Sequence, residues 1–386
     1  MNYLCTLPYY CTTELPYSTM SQPQFYPLKV TRLQPETDQA VSVYFAVPPA
    51  SQTAFNYRAG QYLTLRFRIN DKEERRAYSM CSAPHDDELA VTVKRVEGGV
   101  VSNYIAENLR VGETVDVMPP MGRFLAEVDP AAKRRYYLFG AGSGITPLMS
   151  ILRSVLEREP KSEVILLYGN RDEDNIIFEQ QLEELQNRYA GQLTVEHTLS
   201  QPKKYAAKGG LKRLFGRSTT RWEGATGRID RKALVKFLQR YPHEGRDCRY
   251  YVCGPGQMID NVEAALLGHG VDEKLIHVER FVSANDNKKS STVTEGGTVN
   301  VKLGKEQFSI ELNPGQTILD GLLEAGHSPP YSCLAGACST CMARVDKGGI
   351  KMDVCYALDD EEVEQGFVLT CQSHPTTPEV DIDFNV

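Results

Sequence analysis

The sequence lacks any run of about 18 consecutive apolar residues, the shortest stretch that predicts a transmembrane helix. Its first 22 residues contain no Lys or Arg and are interrupted by prolines, which excludes a secretory signal peptide. We therefore expect residues 1–24 to form a disordered tail, with a translation start at Met20 as an alternative. The ten cysteines, four of them in one cluster-type spacing, indicate the reducing cytoplasm rather than a disulfide framework.

The charge distribution is uneven along the 386 residues, a length that predicts two or three domains. Residues 292–386 contain five Lys or Arg and fifteen Asp or Glu, a net charge of −10. Since the whole chain carries −7, the preceding part carries +3. An acidic C-terminal module beside a weakly basic body favours electrostatic docking between redox partners, and it does not favour nucleic-acid binding.

Four cysteines near the C-terminus carry the most specific pattern. Cys333, Cys338 and Cys341 lie in CLAGACSTC, and Cys371 follows in VLTCQ. This C-x4-C-x2-C…C spacing is that of plant-type [2Fe–2S] ligands. The alternatives are buried free cysteines or a zinc knuckle, but structural zinc uses paired C-x2–4-C units, of which only one is present. Cys355 fits neither spacing and is interpreted as a bystander.

Residues 25–130 predict a small antiparallel β-barrel. Short alternating runs such as YLTLRFRI are separated by turns rich in Gly, Pro, Asn and Asp. The barrel contains the motif RAYS, residues 76–79, and later the glycine pair at 98–99. The pair precedes a helical stretch for which Ser102 is the predicted N-cap, and such a helix start can bind an anion.

Residues 131–282 alternate apolar strands with amphipathic helices, which predicts a parallel α/β sheet. The glycine turn in GAGSGITP reads G-x-G-x-G and so lacks the Rossmann G-x-G-x-x-G fingerprint. About 110 residues later, a strand ends in the turn Cys253-Gly254-Pro255-Gly256. The alternative for Cys253 alone is a buried core thiol.

The remaining segments are a linker, a third domain and one insertion. Residues 283–297 are polar and rich in Gly and Ser, which predicts a linker. Residues 298–386 predict a hairpin, a short helix ended by Gly326 and the cysteine loop, the β-grasp plan. Residues 203–221, the basic segment, hold seven cations and no local acid to pair with them. We interpret the segment as a solvated loop, with docking of the acidic module, an acceptor protein or an anionic membrane as the alternative. Its cations are Lys203, Lys204, Lys208, Lys212, Arg213, Arg217 and Arg221.

In this order the motifs resemble the ferredoxin–NADP reductase superfamily with a C-terminal plant-type ferredoxin domain. The resemblance implies that Arg76 pairs with the FAD pyrophosphate, that Tyr78 packs on the isoalloxazine and that Ser79 bonds near its N5 atom. It also implies that residues 99–102 close on the diphosphate. The remaining flavin-binding residues implied are Val93, Lys94, Gly99, Val101 and Ser102.

The same resemblance implies where the nicotinamide nucleotide binds. Cys253 would lie beside the nicotinamide, where hydride passes to the flavin, with Glu279 and Phe281 approaching from the last strand. An ordinary edge strand is the alternative for these last two residues. Arg171 would contact the adenosine 2′ position, and the choice between NADPH and NADH stays open. The other residues implied are Gly142, Gly144, Thr146, Gly254 and Pro255.

The implied function is that of reductase components of bacterial monooxygenases and desaturases, among them phenylacetyl-CoA epoxidase. Electrons would pass from NAD(P)H to FAD, then to a [2Fe–2S] cluster held by the four cysteines, and finally to an oxygenase, hydroxylase or desaturase. Two alternatives remain, a stand-alone diaphorase serving a stress-response redox protein and a redox-inactive iron–sulfur scaffold. The basic segment departs from the family pattern and leaves the acceptor open.

Overall fold

A computed structural model describes residues 24–206, 218–243, 245–281 and 296–386. Within these ranges the chain forms an antiparallel barrel, a parallel α/β sheet and a β-grasp sheet, in that order. The predicted fold class is therefore confirmed. No helix in these ranges has the length and apolar character needed to cross a bilayer.

The barrel is one sheet whose strand order is β4-β3-β6-β1-β2-β5, with every neighbouring pair antiparallel. Its edge strands meet at the bridge between Met80 and Val91, which closes the sheet. Alternate side chains such as Val43 and Leu65 fill the interior and are fully buried. The strands are β1 (Tyr26–Thr37), β2 (Ala40–Ala46), β3 (Tyr62–Ile69), β4 (Lys72–Ser79), β5 (Leu89–Lys94) and β6 (Thr114–Val117).

Helix α1 (Val100–Glu107) follows the glycine pair but begins earlier than predicted. Gly99 occupies the N-cap position, so the prediction of Ser102 as N-cap is wrong. Gly98 adopts a φ of 70°, which brings the chain into the helix three residues sooner. The Ser102 hydroxyl instead accepts a hydrogen bond from the Val96 N–H at 3.2 Å.

The α/β domain has the strand order β12-β9-β8-β7-β13-β14, all parallel. The order reverses between β7 and β13, and ligands of such sheets bind at the carboxyl ends of the strands at this point. A separate antiparallel pair, β10 and β11, flanks the undescribed part of the basic segment. The strands are β7 (Arg135–Ala141), β8 (Glu163–Asn170), β9 (Leu193–Leu199), β10 (Lys204–Ala206), β11 (Ser218–Thr220), β12 (Ala225–Thr226), β13 (Cys248–Gly254) and β14 (Ile276–Arg280).

Helices cover both faces of this sheet because successive strand residues point to opposite sides. Tyr136 and Leu138 of β7 pack with α2 and α3, whereas Tyr137 and Phe139 pack with α4 and α5. These two buried layers hold the parallel neighbours β7 and β13 in place, so their carboxyl ends lie together at one edge of the sheet. The helices are α2 (Ile145–Arg158), α3 (Glu179–Arg188), α4 (Arg231–Arg240) and α5 (Gly256–Gly268).

The third domain has the strand order β16-β15-β21-β17-β19, with β15 and β21 parallel at its centre. Ile318 and Leu322 of α6 pack on this sheet, and the helix ends at Glu324, two residues before Gly326. The strands and helices are β15 (Gly297–Leu303), β16 (Glu306–Leu312), α6 (Ile318–Glu324), β17 (Met342–Lys347), β18 (Ile350–Met352), α7 (Asp360–Glu364), β19 (Phe367–Leu369), β20 (Ser373–Pro375) and β21 (Glu379–Asp383).

Three predicted segments fall largely outside the described residues. These are the tail at 1–24, the linker at 283–297 and residues 207–217 of the basic segment; β15 already begins at Gly297. Lys203, at the start of the basic segment, forms an ion pair with Asp174 at 2.5 Å. The expectation that the cations of this segment lack local acids is therefore wrong for Lys203.

Candidate electron-transfer site

The flavin motif lies on β4, at one edge of the barrel sheet. The Arg76 guanidinium bonds the Glu74 carboxylate at 3.1 Å, so an incoming phosphate would compete with that carboxylate. Burial raises the pKa of the Tyr78 hydroxyl, which keeps the phenol neutral. The side chains of Val93 and Val101 are 1% exposed and belong to the barrel core, so only their backbone groups are available to a cofactor.

Three residues from three separate motifs meet at the boundary between the barrel and the α/β sheet. The Ser79 hydroxyl donates a hydrogen bond to the Glu279 carboxylate at 2.9 Å. The Cys253 sulfur lies 4.0 Å from the same carboxylate. Cys253 ends up beside Glu279 because β13 and β14 are parallel neighbours in which these two residues are register partners.

The environment of this trio favours neutral forms. The pKa of Glu279 is raised to about 8 because burial disfavours its carboxylate, while the hydrogen bond from Ser79 opposes the shift. The pKa of Cys253 is raised well above its ordinary value, first by burial and then by the Glu279 charge. At neutral pH the site therefore holds a protonated carboxyl and a thiol, which can donate hydrogen bonds without adding negative charge.

The two turns of the α/β domain touch at the switch point of the sheet. A Cβ added to Gly144 would lie 2.1 Å from the Cys253 carbonyl oxygen, so only glycine permits this approach. The Thr146 hydroxyl donates to the Ser143 carbonyl at 2.9 Å and fixes the turn before α2. The GAGSGITP and CGPG motifs are thus parts of one surface, and Gly254 and Pro255 continue it into α5.

Two cations lie beside the glycine turn. A Cβ on Gly142 would be 3.5 Å from the Lys94 ammonium nitrogen. The pKa of Lys94 is lowered, first by burial and then by the positive charge of Arg171. Arg171 itself bonds the Asp172 carboxylate at 3.2 Å, and its side chain is 62% exposed. The pair of cations over a glycine turn gives an electropositive edge suited to phosphate groups.

A cavity of about 540 Å³ lies elsewhere, between the β1–β2 turn and α3. It contains none of the predicted site residues, and its lining includes Glu36, Asp38 and Glu173. Acidic side chains repel a pyrophosphate, so this cavity is unsuited to the dinucleotides. Phe281, the last described residue before the linker, is half-buried and packs on the core of the α/β domain.

The four predicted cluster ligands converge in the third domain. The Cys338 and Cys371 thiols both shift the pKa of Cys333, and the Cys333 and Cys341 thiols shift that of Cys371. These interactions connect all four thiols into one group. Cys355 is only partly buried, and the neighbours that shift its pKa include no other cysteine.

The loop geometry suits an iron–sulfur group. Leu334 and Gly336 adopt φ values of 59° and 67°, which wrap the backbone around the thiols. The Ala335 N–H points at the Cys333 sulfur at 3.4 Å, as expected for a backbone donor to a cluster ligand. Among the described residues no His, Cys, Asp or Glu group is placed to hold a single metal ion. A [2Fe–2S] cluster does not need such a single-ion site, because its four thiolates are divided between two irons.

The thiols need a cation to ionise together. The pKa of Cys338 is raised well above its ordinary value because it shares a hydrogen bond with Cys333 and is buried, while a hydrogen bond from Thr340 opposes the shift. The pKa of Cys371 is lowered by its interaction with Cys333, but the interaction with Cys341 and burial together outweigh this effect and raise it. Metal ions deprotonate coordinating thiols outright, so the four residues fit a [2Fe–2S] cluster.

The contact between the barrel and the cluster domain was missed in the sequence. The Tyr62 hydroxyl and the Thr340 hydroxyl lie 2.8 Å apart, and the Thr64 hydroxyl donates to Ser332 at 2.7 Å. Tyr62 is also the cross-strand partner of Ser79 in the flavin motif. Strand β3 therefore lies between the flavin residues and the cluster loop. Its run YLTLRFRI showed only the alternation of a strand, which does not reveal a partner domain.

Comparison with known proteins gives three family matches that cover the three domains. Residues 29–125 match an oxidoreductase FAD-binding domain, residues 138–264 an oxidoreductase NAD-binding domain and residues 301–376 a 2Fe-2S iron-sulfur cluster binding domain. The flavin, the nicotinamide nucleotide and the cluster predicted from the sequence are thereby confirmed as the cofactor classes of this chain.

Full-length relatives share this arrangement. The chain is 35% identical to one component of the 1,2-phenylacetyl-CoA epoxidase of Escherichia coli, over 94% of this chain and 98% of that protein. It is 34% identical to the ferredoxin reductase component of the 3-ketosteroid-9-alpha-monooxygenase of Rhodococcus rhodochrous, over 97% of this chain and 99% of that protein. Phthalate dioxygenase reductase has the same fold, with a TM-score of 0.59 at 23% identity over 93% and 98% of the two chains.

Each domain of this chain is matched, and the matched relatives are covered almost from end to end. The recognition made from the motifs is confirmed, and the chain is an oxidoreductase. It belongs to the ferredoxin reductase family whose members join FAD-binding, NAD-binding and [2Fe–2S] domains in one polypeptide, the family of the reductase components of multicomponent oxygenases.

Proposed function

We propose that this chain takes electrons from NADH or NADPH and delivers them to an oxygenase, hydroxylase or desaturase component in the cytoplasm. When bound, FAD accepts a hydride and the [2Fe–2S] cluster carries single electrons onward. The observation that supports the proposal most is the meeting of Ser79, Cys253 and Glu279 within 4.0 Å at the barrel edge. The strand next to Ser79 contacts the cluster loop, so one short region connects all three cofactor domains.

The barrel residues bind and orient the flavin. Arg76 would hold the FAD pyrophosphate once released from Glu74, and the N–H groups at the start of α1, beside Gly99 and Ser102, would stabilise its negative charge. Tyr78 supplies an apolar, neutral ring surface for the isoalloxazine. These are the roles that the resemblance to the reductase family implies, and the charge of Arg76 and the buried, neutral ring of Tyr78 support them.

The trio at the domain boundary controls hydride transfer. Cys253, at the tip of β13, would lie beside the bound nicotinamide, and its fully buried side chain would exclude water there. Glu279 stays protonated at neutral pH, since its pKa is raised to about 8. Ser79 bonds this carboxyl and so holds it against the flavin edge of the barrel. The trio positions the reacting groups and keeps negative charge away from the hydride path.

When bound, the nucleotide would lie across the touching turns at the switch point of the sheet. The backbone at Gly142 and Gly144 admits the pyrophosphate, with Lys94 as its counter-charge. Arg171 contacts the 2′ end of the adenosine, where its charge favours NADPH and the neighbouring Asp172 carboxylate favours NADH. Thr146, Gly254, Pro255 and Phe281 complete the surface around these groups.

The ligand set of the cluster is Cys333, Cys338, Cys341 and Cys371, within a ferredoxin domain at residues 298–386. A flavin domain at 25–130 and a nucleotide domain at 131–282 precede it. Purified Cys338→Ser is expected to lose the visible absorbance of the cluster, because a hydroxyl does not replace a soft thiolate. Cys355→Ser is the matched control and should keep that absorbance. Retention of the cluster in Cys338→Ser, or its loss in Cys355→Ser, would overturn the ligand set.

The acceptor is proposed from the relatives, whose names include an epoxidase and a ketosteroid monooxygenase. The excess negative charge of residues 292–386 favours a partner with a basic docking surface. The test combines the reductase with oxygenase components encoded beside it and follows NAD(P)H-dependent oxygenase reduction. Cys338→Ser should still reduce its flavin but not the oxygenase. Equal oxygenase reduction by this variant would show that electrons bypass the cluster.

A further inference from the structure

A buried hydroxyl pair joins the flavin barrel to a predicted cluster ligand. Tyr62 and Thr340 lie 2.8 Å apart although 278 residues separate them in the chain. Tyr62 is 5% exposed and Thr340 is 4% exposed, so water does not compete for this hydrogen bond. Thr340 lies between the predicted ligands Cys338 and Cys341, and its hydroxyl interacts with the Cys338 thiol. A chain of contacts thus runs from β3 of the barrel to the cluster loop.

The number of hydroxyl protons determines which group donates in each of these hydrogen bonds. A threonine hydroxyl has one proton to donate. When Thr340 donates it to the Cys338 sulfur, its oxygen must accept the proton of the Tyr62 hydroxyl. The Tyr62 hydroxyl itself lies within interaction range of the Cys338 sulfur. In both contacts a hydroxyl hydrogen, which carries a partial positive charge, lies near the Cys338 sulfur. This sulfur gains electron density when the cluster accepts an electron.

The contact exists only while the two domains are docked. Tyr62 and Thr64 are two residues apart on β3 and therefore lie on one face of the strand. Thr64 bonds Ser332, which precedes the first cysteine of the loop, at 2.7 Å. One face of β3 therefore contacts both ends of the cluster loop. Of these two contacts, only that of Tyr62 leads to a ligand sulfur through hydroxyl groups.

We propose that Tyr62 is a positioning residue through which docking on the flavin barrel raises the reduction potential of the cluster. Hydrogen bonds to ligand sulfurs stabilise the reduced cluster, and they act strongly where water is excluded. The docked domain thus becomes a better acceptor for the single electron that the flavin, reduced by NAD(P)H, supplies. After separation the donor is lost and the cluster becomes a stronger reductant toward the next protein. The inference rests on the ligand set proposed above.

The test is an EPR-monitored redox titration of the full-length holoprotein. Tyr62→Phe keeps the ring and removes the hydroxyl, and we expect the one-electron reduction equilibrium of the cluster to weaken about tenfold, or about 59 mV. Thr64→Val is the matched control, since Thr64 lies on the same face of the same strand but does not reach a ligand. It should leave the midpoint potential unchanged.

Thr340 supplies an independent pair of variants. Thr340→Ser retains a hydroxyl and should retain the wild-type potential, whereas Thr340→Val should lower it. Adding Tyr62→Phe to Thr340→Val should lower it by less than the sum of the two single effects, because the two residues share one chain of hydrogen bonds. The comparison of Thr340→Ser with Thr340→Val tests the chain of hydrogen bonds even if Tyr62→Phe fails to assemble the cluster.

Two outcomes would overturn the inference. One is an unchanged midpoint in Tyr62→Phe or in Thr340→Val with the cluster assembled. The other is an equal shift in Thr64→Val, which would assign the effect to docking in general. A wrong ligand set is distinguishable from both, since Cys338→Ser would then keep the cluster.

Discussion

Gly144→Ala tests whether the two nucleotide turns must touch. The added Cβ would lie 2.1 Å from the Cys253 carbonyl oxygen and 2.8 Å from the Gly254 nitrogen, and ordinary contact begins at 3.4 Å. The turns would therefore separate by about 1.3 Å at the closest point. Overpacking of this kind costs about 1–3 kcal/mol of stability. It also displaces Cys253 from Glu279, so the geometry of hydride transfer changes along with stability.

The expected effect is mainly kinetic. Misplacement of a reacting group by about 1 Å can slow a reaction about 100-fold. Anaerobic stopped-flow mixing with NADH or NADPH, followed at flavin wavelengths, should show a loss approaching that size in Gly144→Ala. Gly268→Ala is the control, because nothing lies within 4 Å of a Cβ at this last residue of α5. Wild-type flavin reduction by Gly144→Ala would refute the requirement for touching turns.

Two further predictions concern charge. The pKa of Glu279 is raised from 4.5 to about 8. The free energy of unfolding therefore falls by a few kcal/mol as the pH rises through this window, because only the unfolded chain ionises freely there. Glu279→Gln removes this loss of stability. Urea unfolding should show that the variant is more stable than the wild type at pH 9 but not at pH 4. Equal differences in stability at the two pH values would contradict this prediction. Arg171→Ala removes a charged contact worth about 1.5–3 kcal/mol, so KM for NADPH should rise ten- to hundredfold while KM for NADH stays nearly constant. Parallel changes for both nucleotides would show that Arg171 does not contact the 2′-phosphate.

The domain order and the cysteine spacing were readable from the sequence because both are local patterns. Alternation with period two predicted the barrel strands, and the change to strand–helix alternation after residue 134 predicted the parallel sheet. The loop from Cys333 to Cys341 is short enough for its spacing alone to indicate the cluster type. The distant Cys371 was assigned by the same pattern, and the fold brings it to the loop.

Contacts between domains could not be read in the same way. Tyr62 and Thr340 are 278 residues apart, and no periodicity connects them. Local details also failed where two interactions competed. Ser102 has the chemistry of an N-cap, but the positive φ of Gly98 started the helix earlier and left its hydroxyl to Val96. The resemblance, rather than any spacing, indicated that Glu279 approaches the flavin.

The passage of electrons through all three domains can be measured directly by anaerobic titration of the purified protein with NADH or NADPH. Visible absorbance follows the flavin, and EPR follows the reduced cluster. We predict that the flavin bleaches, that a reduced-cluster signal then appears, and that the flavin released by heat has the mass of FAD. A bleached flavin with a permanently oxidised cluster, or a flavin that neither nucleotide reduces, would contradict the proposed path.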